Sequence, residues 1–318
     1  MQIMTGECIA VTGAAGLIGS AVVRHLNKLN MEVVAFDSLD APDLVPGSCT
    51  PIERVDLVDP KMVEILEASK PQTVVHAAAH PGGKSLQEPI ENVRVNVLGS
   101  MKIFDSCLRS GSHVIYLSSS VIYGDQAQGY ISETSPLIPG TIYGVAKVAC
   151  EQWLQILGRG SGLSWTILRP FSVYGSGHRP SLDQGIVNIL LTQLLNGNRV
   201  VVKGSLLRQR DLVYVDDVAA AIVQAVFCPA ARGQRINISS GCAVTIEEII
   251  NLLCGVLKRP CSAIEIIEGA GTVGDPVSNV GDTTRMREVL DFETKYNLEK
   301  GLQILVDERL AAMDQKSS

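Results

Sequence analysis

A doubly wound α/β fold, a parallel sheet with helices on both faces and a smaller C-terminal lobe, is what this 318-residue sequence predicts. Three observations lead there. Strand-like and helix-like segments alternate from the start, the pattern of a parallel sheet covered on both sides. The first strand and helix meet at the turn Gly13-Ala-Ala-Gly16-Leu17-Ile18-Gly19. A carboxylate, Asp37, then closes the second strand, eighteen positions beyond Gly19.

The elements follow in order. Residues 8–12 (CIAVT) read as a buried strand, 20–29 as a helix and 33–37 (VVAFD) as the second strand. A strand at 73–79, a helix at 92–109 and a strand at 113–118 come next, then a long helix at 143–157 and a strand at 165–169. After Pro170 the pattern changes. Residues 175–185 are loop-like, 186–195 helical, 199–202 a short strand, 212–227 a strand and helix, and the C-terminus helical. This predicts a nucleotide-binding region over 1–169 and a substrate lobe over 170–318, with some segments returning to the first.

Composition narrows the class. Apolar residues make up 46% and charged residues 19%, which suits a packed enzyme and not a disordered chain. A net charge of −6 argues against a general nucleic-acid binder, which needs a basic surface. The eight cysteines include no CxxC pair, so buried thiols are expected, with no metal site. No apolar run reaches membrane-spanning length, and the chain enters its first strand without a charged leader. The expectation is a cytoplasmic protein.

Glycines at this spacing let the backbone approach a pyrophosphate at a helix N-terminus, where free N–H groups and the dipole favour negative charge. Asp37 is placed to bond ribose hydroxyls and would repel a 2′-phosphate, so NAD is expected over NADP. Tyr143 and Lys147 lie four residues apart on one helix face. A free phenol titrates near ~10, and a neighbouring ammonium is expected to lower that value.

The GxxGxxG turn, the SSSVIYG stretch over 118–124 and Tyr143-Gly-Val-Ala-Lys147 together resemble the extended short-chain dehydrogenase/reductase family, a group with Rossmann-type folds acting on nucleotide sugars. The resemblance spans nearly the whole chain. It implies catalysis by Ser119, Tyr143 and Lys147. It implies cofactor contacts from Gly13, Gly16, Leu17, Ile18, Gly19, Asp37, Asp56, Leu57, Ala77, Ala78, Ala79, Lys84 and Asn96, and from Tyr143 and Lys147. It implies substrate contacts from Ser119, Ser120, Ser172, Val202, Arg210 and Asp275. For Asp56 a turn role is an equal alternative, for Lys84 a solvated lysine, for Asn96 a helix-facing amide, and for Arg210 an ion pair to Asp211 or a neighbour.

Dehydratases of the family place an Asp-Glu pair after the serine or threonine, where this chain has Ser120 and Val121. The resemblance therefore implies an NAD-dependent 4-epimerase of UDP-glucose/UDP-galactose type, or a keto-sugar reductase or dehydrogenase using the same residues. A non-catalytic NAD-sensing protein that keeps the fold is a third reading, disfavoured by the intact Ser119, Tyr143 and Lys147. The resemblance also implies a homodimer packed through the helices at 92–109 and 143–157. Two positions depart from the UDP-sugar pattern. Lys203 stands where an aromatic residue is usual, and Thr272-Val273 where a second diphosphate-binding arginine is usual, for which Arg285 or Arg287 are candidates. Asp216 and Asp217 read as anchors of the helix that they begin.

Overall fold

The computed structural model describes residues 7–317 apart from 39, 127, 128 and 273. The first half alternates as expected: β1 (Cys8–Thr12), α1 (Leu17–Lys28), β2 (Glu32–Asp37), β3 (Ile52–Arg54), α2 (Pro60–Ser69) and β4 (Thr73–His76). Then come α3 (Pro89–Asn92), a π-helical turn (Val93–Gly99), α4 (Ser100–Ser110), β5 (His113–Leu117), α5 (Ile142–Ser161), β6 (Trp165–Pro170) and β7 (Ser172–Tyr174). The second half supplies α6 (Ile186–Asn196), β8 (Arg199–Lys203), β9 (Gln209–Tyr214), α7 (Val215–Val226) and β10 (Arg235–Ile238). It ends with β11 (Ala243–Thr245), α8 (Ile246–Val256), β12 (Glu265–Gly269), β13 (Ser278–Asn279), α9 (Thr284–Leu290) and α10 (Leu298–Ser317).

Seven strands form one parallel sheet in the order β10-β6-β5-β4-β1-β2-β3. Strand order reverses between β1 and β4, and in open sheets of this kind ligands bind in the crevice that such a reversal opens. Because both faces are covered, the inner strands β1, β4 and β5 are buried along their whole length, whereas edge strand β3 exposes Glu53 and Arg54. One core, with Val22, Leu26, Val218, Ile222 and Ile236, fills the α1/α7 face. The other, with Phe36, Met62, Ile103, Phe104, Cys150 and Leu154, fills the α2/α4/α5 face.

β10 returns across residue 169 to pair with β6 of the first region. What remains of the second half builds two small sheets: β11-β9-β13 with β7 alongside β9, and β8 with β12. The helix expected over 92–109 arrives as α3, a π-turn and α4. The strand expected to reach residue 79 stops at His76, leaving the three alanines beyond its end. Neither Asp216 nor Asp217 caps α7. Asp217 instead accepts the Lys295 and Tyr296 N–H groups at 3.0 Å, tying the C-terminal segment down, and Asp216 lies 3.6 Å from His25 of α1. Among the described residues no helix is long and apolar enough to cross a membrane.

Candidate active site

At the carboxyl end of β1 the backbone turns on glycine for steric reasons. A Cβ on Gly19 would lie 2.0 Å from the Gly13 carbonyl oxygen, and one on Gly13 would lie 2.7 Å from Ala78 Cα. Gly13 also has φ +70°, where glycine is favoured. The turn delivers Leu17 and Ile18 into the first turn of α1, whose N-cap, Gly16, has no side-chain capping bond. Those first N–H groups are the donors that an anion would take. Asp37 braces the turn from β2: one carboxylate oxygen accepts the Ala15 N–H at 2.7 Å, the other the Ser38 N–H at 2.7 Å. Ala77, Ala78 and Ala79 run alongside, with the Ala78 N–H bonded to Thr12 Oγ1 at 3.2 Å. The absence of a Cβ at Gly13, Gly16 and Gly19 and the methyl-sized side chains of Ala77 to Ala79 beside them leave a cradle that fits a dinucleotide.

Residues flanking the cradle divide by what their polar atoms already hold. Asp56 receives both Nη groups of Arg94 at 2.9 Å and the Val58 N–H at 3.0 Å, and the Arg94 bonds hold its pKa below the usual range. In this structure it acts as a turn and ion-pair residue, and neighbouring Leu57 packs under Gly99. Asn96, buried in the π-turn, accepts the His80 N–H at 2.7 Å and donates to the His80 carbonyl at 3.1 Å, so its amide fixes the loop after β4. Lys84 is exposed on a short turn, while Gly82 in that turn lies against the Tyr143 ring. His76 is fully buried between Thr12 Oγ1 at 2.7 Å and Ser100 Oγ at 2.9 Å, and burial drops its pKa to about 3, a structural role.

The catalytic candidates come from two elements. Ser119 begins the tight turn after β5, its Oγ accepting the Val121 N–H at 3.4 Å. Tyr143 and Lys147 sit on the first turns of α5, which Thr141 caps by accepting the Gly144 N–H at 3.0 Å. Gly144 packs against Val121 O, bringing the serine turn to the start of the helix. Lys147 Nζ donates to Leu117 O at 2.7 Å and lies 5.5 Å from the Tyr143 ring centroid. Burial lowers the Lys147 pKa to about 8, against the opposing pull of Cys150 and Glu151. The phenol departs from expectation, because burial pushes Tyr143 up to about 12. In this structure desolvation outweighs the help expected from the ammonium.

A buried ion pair that the sequence analysis missed orients α5. Glu151, one turn beyond Lys147, takes two bonds from Arg169 of β6 at 2.6 and 2.9 Å, and both side chains are fully buried. Arg169 also donates to Tyr123 OH at 2.8 Å, which donates to Asn237 of β10 at 2.6 Å. Removing one partner would cost roughly 3–5 kcal/mol, because it strands a buried charge. Arg169 beside Pro170 was visible in sequence, but its partner was eighteen residues away and unmarked.

On the other side of the cleft, Ser120 Oγ accepts from Asn279 Nδ2 at 3.1 Å, and Asn279 is the strand partner of Arg210. Ser172 opens β7 and pairs with Leu212, two residues from Arg210. Val202 was expected at the substrate, but its side chain is buried in the core because β8 alternates inward and outward. Arg210 pairs with Asp275 at 2.7 Å and not with Asp211, whose carboxylate accepts the Ser240, Gly241 and Gly281 N–H groups. Asp275 also receives Arg208, which the sequence analysis did not single out. Two arginines one residue apart at the head of a strand share a face, and that spacing was the available signal. Arg285 and Arg287 lie elsewhere, beside Glu133 and Glu293.

A glycine turn at the sheet's switch point, with serine just beyond the end of β5 and tyrosine and lysine on α5, defines a dinucleotide-dependent α/β enzyme. The chain belongs to the NAD dependent epimerase/dehydratase family, whose model matches residues 9–239, and it is of the extended short-chain dehydrogenase/reductase type. It is 31% identical over 306 residues to UDP-glucose 4-epimerase of Mycolicibacterium smegmatis, covering 93% of this chain and 96% of that one. Among solved structures it is similar to UDP-glucose 4-epimerase of Thermotoga maritima with UDP-glucose, at 29% identity and a TM-score of 0.89, covering 96% of this chain and 99% of the other. It is also similar to the UDP-glucose 4-epimerase of Thermus thermophilus in complex with NAD, at 28% identity and a TM-score of 0.88, with the same coverage.

Proposed function

We propose that this protein is a nucleotide-sugar 4-epimerase, with a UDP-sugar the favoured substrate, working through a transient 4-keto sugar. One observation carries the choice of reaction. The two positions after Ser119 hold no acid: Ser120 is bonded to Asn279, and Val121 is apolar. Elimination of water needs an additional acid–base pair there, whereas epimerisation needs Ser119 and Tyr143 only to move the C4 hydroxyl proton away and back, the C4 hydride being what bound NAD would hold. The relatives described above, named as UDP-glucose 4-epimerases, support the same reading.

NAD in the cradle from Gly13 to Gly19, with Asp37 toward the ribose, would accept and return the hydrogen at C4. Tyr143 takes the proton of the C4 hydroxyl and returns it to the same oxygen after the 4-keto sugar has turned to present the other face of C4. Ser119 Oγ bonds the same oxygen and steadies it as its charge changes. Lys147, fixed by the Leu117 carbonyl, lends positive charge to the phenolate. With burial holding the phenol near 12, that charge and the cofactor's must together offset desolvation. Arg210 takes the diphosphate, for which a forked guanidinium is suited.

Exposed Ile90, Val93 and Leu98 on α3 and the π-turn, with Val145, Trp153 and Ile156 on α5, form an apolar stripe on adjacent helices. A second copy packing the same two helices would cover it, which supports a homodimer. The eight cysteines, all free thiols here, suit a cytoplasmic setting.

The test is incubation of the purified protein, without added cofactor, with UDP-, dTDP-, GDP- and CDP-sugars, followed by NMR. Conversion of one sugar to its C4 epimer without NADH accumulation is the expected result. Conversion only with stoichiometric NAD or NADH would replace the epimerase by a dehydrogenase or reductase.

A further inference from the structure

Arg208 and Arg210 are both buried, and both guanidiniums point at the single carboxylate of Asp275, which is about one-third exposed. Their settings are tight. Arg208 Nε donates to the Ser205 carbonyl at 3.1 Å and Nη2 to the Lys203 carbonyl, and its guanidinium lies against Gly204, where a Cβ would come within 3.1 Å of Cζ. Arg210 Nη1 donates to the carbonyls of Gln209 at 2.7 Å and Pro276 at 3.0 Å. Burial holds the Arg210 pKa below the usual arginine range; Asp275 opposes this, while the charge of Arg208 adds to it.

Asp125 also favours the charge of Arg210, but Asp275 is the carboxylate that pairs directly with the two arginines. Asp125 and Glu268 each accept a main-chain N–H, from Val277 and Leu206, and among the described residues neither forms an ion pair with either arginine. Lys203, exposed at the end of β8, adds a third cation. Two buried guanidiniums share the one directly paired carboxylate, and their remaining N–H groups are donors that a further anion would take. A single Arg–Asp pair would suffice to fasten the 274–276 segment, so fastening alone does not account for the second arginine.

The pair's position bears on its ligand. Asn279, beside Arg210 in the β9–β13 ladder, bonds Ser120 next to Ser119. Gly274, adjacent to Asp275, abuts Gly140, three residues before Tyr143; a Cβ on Gly274 would lie 2.1 Å from the Gly140 carbonyl oxygen. The cations therefore border the cleft that holds the catalytic candidates. A diphosphate offers two negative charges and oxygens that suit the planar fork of a guanidinium.

We propose that Arg208 is a substrate-binding residue, forming with Arg210 a two-arginine clamp on the diphosphate of a nucleoside-diphosphate ligand. The proposal rests on the nucleotide-sugar reading given above. Asp275 holds the two forks together, and each guanidinium keeps N–H groups free for phosphate oxygens.

Calorimetric titration of the NAD-containing protein with UDP, dTDP, GDP, CDP and uridine tests it. Arg208→Gln is expected to weaken the tightest-binding diphosphate about 10- to 100-fold, while NAD content and any uridine affinity stay unchanged. Arg208→Lys, which keeps the charge but loses the fork, is expected to fall between. Wild-type diphosphate affinity in folded Arg208→Gln overturns the proposal, as does an equal loss for uridine and diphosphate. If Arg208→Gln does not fold, Arg208→Lys decides: weaker diphosphate binding with NAD content unchanged supports the clamp, and unchanged binding overturns it. If none of the four diphosphates binds the wild-type protein, the nucleotide-sugar reading fails instead.

Discussion

The two proposed anion sites are built on opposite principles. The turn from Gly13 to Gly19 has no charged side chain of its own and offers backbone N–H groups at the start of α1, held by the Asp37 carboxylate. The Arg208/Arg210 pair offers full charges on side chains held by carbonyls and by Asp275. The first is a matter of shape: glycine is required because any Cβ would strike backbone. The second is a matter of charge, and it depends on segments far apart in sequence. On the proposed function, steric complementarity would fix the cofactor side of the cleft and electrostatic complementarity the substrate side.

The largest expected effect separates chemistry from both sites. Tyr143→Phe should lower kcat about 10³-fold while NAD content and diphosphate affinity remain as in wild type, measured by turnover and calorimetry. A loss of binding at either site would show that the phenol also shapes the cleft. Next comes Gly19→Ala, which puts a methyl group 2.0 Å from the Gly13 carbonyl oxygen. Purified Gly19→Ala should retain about 100-fold less affinity for NAD, read from bound nucleotide, with diphosphate binding little changed. Equal damage to both would break the claim that the sites are independent.

The pH profile gives a third distinction. Lys147, with its pKa drawn down to about 8 by burial, is charged below that pH and loses its proton as pH rises through it. Turnover should therefore fall as pH rises past about 8, while diphosphate affinity stays flat, since guanidiniums do not titrate there. Lys147→Arg should move the alkaline limb upward; an unmoved limb would assign it to another group. The smallest effect is salt. Raising ionic strength tenfold should weaken diphosphate binding about threefold and NAD binding less, because screening acts on full charges even when they are partly buried. Equal sensitivity at the two sites would remove the contrast.

The two halves of the site also differed in how far they could be read from the sequence. Gly13, Gly16, Gly19 and Asp37 were legible because one strand–turn–helix–strand unit contains them all, and local sterics dictate the glycines. Tyr143 and Lys147 were legible because helical periodicity alone puts them on one face. Arg208 was not, since its meaning depends on Asp275, which approaches from sixty-seven residues away. Asn96 and Asp217 were visible as polar residues, yet their partners, the His80 main chain and the Lys295–Tyr296 segment, are set by packing. The side chain of Val202 faces the core because the strand's alternation, not its place in a motif, decides which way it points.

The alternating fold, the glycine turn and the order of serine, tyrosine and lysine could be read from the sequence, because each follows from contacts within a few residues or from periodicity. Only the tertiary structure decided which way Tyr143 titrates, what Asp56 and Asn96 hold, and that β10 crosses back to complete the sheet. Those depend on burial and on partners brought together from distant parts of the chain, and desolvation is a property of the surroundings, not of the residue.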